Sequence, residues 1–134
     1  MSGARQVFEY AVLRVVPRVE RGELLNAGVL LYCRQLDYLA IKVELDTGRL
    51  AALDPGADVA SIRQALEATT ESCRLASAAG RDERGQFFRW LTAPRSTVIQ
   101  PGPVHTGLTD DPEAEHERLV GLLVRPLPGA VGDG

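Results

Sequence analysis

Two stretches, Val7-Phe8-Glu9-Tyr10-Ala11-Val12-Leu13-Arg14-Val15-Val16 and Leu24-Leu25-Asn26-Ala27-Gly28-Val29-Leu30-Leu31-Tyr32-Cys33-Arg34, decide the fold class. β-Branched and aromatic residues dominate the first, and Pro17 closes it, which is strand chemistry. Alternation places Phe8, Tyr10, Val12 and Val16 on one side and Val7, Ala11, Leu13 and Val15 on the other. Both sides are largely apolar, so this strand is covered on two faces and belongs in the middle of a sheet. The second stretch has the same character. Only the polar loop Arg18 to Glu23 separates them, too short for a crossover, so the pair is antiparallel. Tyr38 to Leu45 follows a Gln35-Leu36-Asp37 turn and alternates cleanly, with Leu39, Ile41, Val43 and Leu45 on one side and Lys42 and Glu44 on the wetter one. The three runs form a meander.

Helical spacing begins only after that. Asp58 is an N-cap behind Pro55-Gly56, and Val59, Ile62, Leu66, Thr69, Cys73 and Ala76 recur at threes and fours as far as Gly80. A second helix spans Asp82 to Leu91 and stops before Pro94. Ser96 to Gln100 and Val104 to Leu108 read as short strands joined by Pro101-Gly102-Pro103, a sheet-edge connection. Asp111-Pro112 then opens a last helix with Leu119, Leu122 and Leu123 as its apolar face. Strands and helices do not alternate. The expected fold is therefore α+β, a mostly antiparallel sheet led by a three-stranded meander with about three helices packed on it. Residues 1–124 form one domain in this reading, and 125–134 a Pro/Gly-rich tail.

The 134 residues carry 18 acidic and 15 basic side chains, for a net charge of -3. This gives no general attraction to nucleic acid or anionic membranes. The longest apolar run, Ala27 to Cys33, is far short of a membrane span, and no basic, apolar leader opens the chain, so a cytoplasmic location is expected. Lys42 is the sole lysine. Arginine-rich usage of this kind follows from a GC-rich genome and lowers the weight of any single arginine. Cys33 and Cys73 stand far apart, without the spacing of a metal site, and are expected to pack as small apolar side chains.

Some polar residues are nonetheless out of place. Arg14 falls on the Phe8–Val16 face, where a charge needs a partner. A hairpin centred near Glu20 sets Arg14 opposite Asn26 and Val12 opposite Gly28, with Glu20 at the loop above them. Arg89 stands within Phe87-Phe88-Arg89-Trp90-Leu91, whose bulky residues are expected to pack deeply, and Arg95-Ser96 follow Pro94. Arginine forks bind carboxylate or phosphate, and Arg89 is equally placed to meet the last carbonyls of its helix. His105 precedes Thr106-Gly107 at a strand end and is placed to exchange a proton, whereas His116 lies on a Glu-rich helix and is expected to be solvated. Arg14, Glu20, Asn26, Arg89, Arg95 and His105 are accordingly the candidate ligand- or partner-binding residues, expected to line one pocket near the hairpin loop. No nucleophile–base pair, metal-ligand spacing or phosphate loop occurs, so the sequence nominates no catalytic residue, no metal and no cofactor.

Tyr10-Ala11-Val12-Leu13-Arg14-Val15-Val16-Pro17 with Glu20 and Leu25-Asn26-Ala27-Gly28-Val29-Leu30-Leu31 resembles the opening of the bacterial domain of unknown function family 3037. Phe88-Arg89-Trp90-Leu91-Thr92-Ala93-Pro94-Arg95-Ser96 and Pro103-Val104-His105-Thr106-Gly107-Leu108-Thr109 are similar to its later segments, so the likeness covers about residues 7 to 124. Ala27 departs from the valine expected beside Asn26. The family has no assigned activity; its members stand beside genes for HipA-like kinases, which implies an accessory role with such a kinase. Two functions are open on the residues alone. One is a non-catalytic binding or accessory module. The other is a small enzyme or ligand-binding protein that takes an anionic group through Arg14, Arg89 and Arg95, with Glu20 or His105 as proton carrier.

Overall fold

The structure is a computed structural model, and it describes residues 4–127. β1 (Gln6–Val15), β2 (Leu25–Cys33) and β3 (Tyr38–Val43) form the antiparallel meander. The outer edge of β1 is shared by two short strands. β5 (His105–Thr109) pairs with its first half and β4 (Ile99–Pro101) with its second, both antiparallel. They act as one edge strand broken at Gly102, whose N–H still donates to the Val12 carbonyl at 2.7 Å. This is the expected α+β class, an open five-stranded sheet with helices packed on it.

Among the described residues four helices pack on the sheet, one more than expected. α1 (Thr47–Leu53) is capped by Asp46, whose side chain accepts from the Arg49 N–H, and it buries Leu50 alone. One buried side chain in two turns leaves no periodic stripe to read. α2 (Val59–Ala79) and α3 (Arg81–Leu91) cover one sheet face, where Leu13, Leu30, Tyr32, Leu39 and Ile41 meet Cys73, Phe88 and Leu91. Val15, Leu25 and Ala27 continue that layer against Leu50, Ile62 and Leu66. α4 (Pro112–Leu123) lies on the opposite face over β2 and β3, packing Leu119 and Val120 on Phe8, Val29, Leu31 and Cys33. Both cysteines are free and buried, and burial pushes the Cys73 thiol up to about 12, so they serve as apolar packing.

The hairpin register departs from the expected one at a single place. Arg14 does pair with Asn26, but Val12 faces Val29 and Leu13 faces Gly28. A bulge at Ala27 absorbs the extra residue. Gly28 cannot carry a side chain there, because a Cβ would sit 2.8 Å from the Lys42 carbonyl oxygen. Two further expectations are corrected. Trp90 is not core: it is 59% exposed, while Phe88 and Leu91 on either side are buried. His116 is not solvated but fully buried. No helix among the described residues is long and apolar enough to cross a membrane. Of the expected tail, Arg125 is held by Glu44 and Glu117, and residues 128–134 lie outside the described ones.

Candidate functional site

Arg14 occupies β1 between Gln100 of β4 and Asn26 of β2. Alternation along β1 puts it on the α4 face with Phe8, Tyr10 and Val12, beyond the strands α4 covers. Its guanidinium lies over Gly102, where a Cβ would come within 3.0 Å of Cζ and 3.1 Å of Nε. Nε is buried and has no hydrogen-bond partner. Nη1 and Nη2 also bond to nothing among the described residues; not being buried orphans themselves, they open to solvent. No carboxylate comes within ion-pair range, so the acidic partner expected for Arg14 is absent among the described residues. Asn26 turns instead to α4, its amide donating to the Leu123 carbonyl at 2.9 Å and tying down the helix end.

The other nominated residues lie elsewhere. His105 is exposed on β5, at the far end of the same open half-face, its ring 5.2 Å from that of its cross-strand partner Tyr10. Glu20 is exposed in the loop between β1 and β2 and forms no ion pair among the described residues; Arg18 fastens that loop to Asp54. Arg89 and Arg95 belong to the α2/α3 side. Arg89 folds back over Gly85 near the Tyr32 hydroxyl and borders a depression with Glu9 and Arg34. Arg95, rather than Arg89, meets the helix-end carbonyls, donating to Trp90 O at 2.5 Å while its guanidinium sits 4.7 Å from the Trp90 ring centre. The sheet therefore separates Arg14, Asn26 and His105 from Arg89 and Arg95, and the six do not share one pocket.

A site the sequence did not disclose lies beneath α4. His116 Nε2 is 2.7 Å from the Val29 carbonyl, so that nitrogen must carry the proton and donate. Nδ1 is 2.7 Å from the Tyr38 hydroxyl, which is also 3.1 Å from Glu113 Oε1. Lys42 Nζ holds the other Glu113 oxygen at 2.6 Å. One hydroxyl proton cannot serve two acceptors. With a neutral imidazole, Tyr38 donates to Nδ1 and leaves Glu113 to Lys42. With an imidazolium, Nδ1–H donates to Tyr38, whose own proton turns to Glu113. Burial holds His116 below the usual histidine range and raises the Tyr38 phenol, so the neutral arrangement dominates at pH 7. Lys42 in turn keeps the Glu113 carboxyl low.

Residues 10–124 match a protein family described as "Protein of unknown function (DUF3037)", a span that runs from within β1 to just past the end of α4. The chain belongs to that family. No curated protein and no solved structure matches it. The DUF3037 match takes in all six nominated residues together with the Tyr38–Glu113–His116 chain.

An open groove of this DUF3037 protein runs beside α2. One open depression of about 380 Å³ is lined by Ala65, Ala68, Thr69 and Ser72 on the helix side and by Trp90, Arg95 and Val98 opposite. A second, of about 420 Å³, carries on past Ala65 and Val98 toward Ser61, Arg18 and Asp54. The two shared residues make them a single groove. From Ser61 to Ser72 it follows α2 for about 16 Å, at 1.5 Å per residue.

Proposed function

We propose that this protein is a non-catalytic binding module that docks a partner protein in the groove beside α2. The observation that carries this reading is Trp90. A folded chain buries its only tryptophan where it can, yet Trp90 stands exposed in a helix whose Phe88 and Leu91 are core. Arg95 steadies it by a cation–π contact and by its hydrogen bond to the Trp90 carbonyl. Tryptophan and arginine are the residues that most often dominate protein interfaces, and a pre-set pair loses little freedom on binding. The opposite bank is built of small side chains, which lets a partner helix of about three turns approach α2 closely.

The partner we propose is a HipA-like kinase, on the strength of the family's gene neighbourhood. The groove fits an amphipathic helix of such a protein that presents apolar residues to Ala65, Ala68 and Val98 and an acidic one to Arg95. Titration calorimetry with the purified kinase from the same genome tests it. Trp90→Ala and Arg95→Ala should each weaken a measurable complex at least about tenfold, the range of an interface anchor. No heat of binding, or equal affinity for wild type and Trp90→Ala, would sink the reading.

A further inference from the structure

We propose that Arg14 is the receptor for a small carboxylic acid, bound on the half of the sheet face that α4 leaves open. The inference goes beyond the partner groove, which lies on the other side of the sheet. It starts from the state of the guanidinium. The guanidinium packs on Gly102 through Cζ, Nε and Nη2, and at the Nε edge the nitrogen lacks both water and a protein acceptor. A desolvated, unpaired donor on a cation is costly unless a counter-charge is near. The remaining edge holds Nη1 and Nη2, parallel donors that bond to nothing among the described residues. Because Nε is walled off, an anion meets the end of the fork, where two N–H groups match the two oxygens of a planar carboxylate.

The surroundings select the kind of acid. No second cation shares the row, whose members are Gln100, Arg14 and Asn26, so a single negative charge is matched and a phosphate dianion is not. The residues paired with Arg14 across the sheet, Gln100 and Asn26, are uncharged, and the Asn26 amide is already bound to the Leu123 carbonyl. Beyond Gly102 the same face continues as half-buried Val12 and then Tyr10, whose ring lies 5.2 Å from that of exposed His105 and is tilted to it. That strip offers a flat, apolar bed to the body of the ligand. The floor itself depends on glycine, since a Cβ at residue 102 would press on Cζ, Nε and Nη2 together. The bulge that brings Arg14 opposite Asn26 is the sort of irregularity that re-aims side chains near binding sites.

Benzoate is the probe, titrated into the ¹⁵N-labelled chain and followed by NMR. Saturable shifts of the Arg14 Nε–H and of the Gln100 and Gly102 amides are expected, with a dissociation constant on the order of 1 mM, which suits one forked ion pair on an open surface. Arg14→Met should remove saturation, and Arg14→Lys, which keeps the charge but not the fork, should weaken binding by about tenfold. Saturation by inorganic phosphate but not by benzoate overturns the proposal, as does unchanged affinity in Arg14→Lys. A blocked glutamyl peptide that binds as tightly as benzoate removes the apolar bed from it. Trp90→Ala should bind benzoate like the wild type, so failure here and failure of the partner groove are distinguishable.

Discussion

His116 makes the stability of this fold depend on pH in a window that its carboxylates do not reach. In the unfolded chain the imidazole titrates near its ordinary value of about 6.5. In the folded chain burial holds it lower, with Lys42 adding to the effect and Glu113 and Glu117 opposing it. Below pH 6.5 the unfolded state therefore binds the extra proton first, and stability falls as the pH falls. The slope approaches about 1.4 kcal/mol for each pH unit between the unfolded and folded values and levels off below the folded one. The carboxyls of Asp37, Glu44 and Glu113 are all held low by their arginine or lysine partners. Their contributions are lost only as the pH drops from about 4.5 downward. Urea unfolding at pH 7.5, 6.5 and 5.5 should show the wild type weakening across that range. His116→Gln, which keeps an amide donor for Val29 but cannot titrate, should be nearly flat there after an initial cost of about 1–3 kcal/mol for disturbing a buried hydrogen-bond chain. Equal slopes in the two proteins would refute the argument.

Three other substitutions probe the frame around the sites. Gly107→Ala would place a Cβ 2.7 Å from the Phe8 ring that lies across it; overpacking should lower thermal stability by about 1–3 kcal/mol, and an unchanged melting temperature would count against that packing. Asn26→Ala removes the bond that holds the α4 C-terminus and should cost about 1 kcal/mol in urea, with faster amide exchange in the last turn of α4 as its signature. Arg14→Met should leave stability within about 0.5 kcal/mol of wild type or raise it, because it deletes an orphaned donor rather than a paired one; a loss above about 1 kcal/mol would mean that Arg14 has a protein partner after all.

What the residues disclosed, and what they hid, follows from how far each signal reaches. The meander was legible because two strands apolar on both faces, joined by a short and largely polar loop, leave little choice of pairing. The Ala27 bulge was not, because it depends on β3: Gly28 sits hard against Lys42 and Val43, and nothing within the hairpin announces that contact. Trp90 was misjudged by size instead of phase. The buried positions of α3 are Gly85, Phe88 and Leu91, three apart, and Trp90 lies about 200° around the helix from Phe88. His116 was misjudged in the reverse sense. Its acidic neighbours suggested solvent, yet it precedes Leu119 by three and Val120 by four and so shares their buried stripe. In both helices the period carried the information and the residue type misled.

The arginines show the same division between what composition can say and what geometry adds. An arginine-rich chain invites the view that no single guanidinium matters, and for most of them the structure supplies an ordinary use. Arg18, Arg21, Arg74, Arg81, Arg84, Arg118 and Arg125 meet carboxylates, while Arg5, Arg49 and Arg95 donate to backbone carbonyls. Arg34, Arg63 and Arg89 are exposed, where water serves them. Arg14 fits none of these classes. It is half-buried, one of its donors is the sole buried side-chain nitrogen or oxygen without a partner among the described residues, and the backbone beneath it is glycine. A chain that pairs or solvates its other guanidiniums has the acidic residues to pair this one as well. It sets Gln100 and Asn26 beside Arg14 instead, and no carboxylate among the described residues meets the fork, which is the ground for the carboxylate site proposed above.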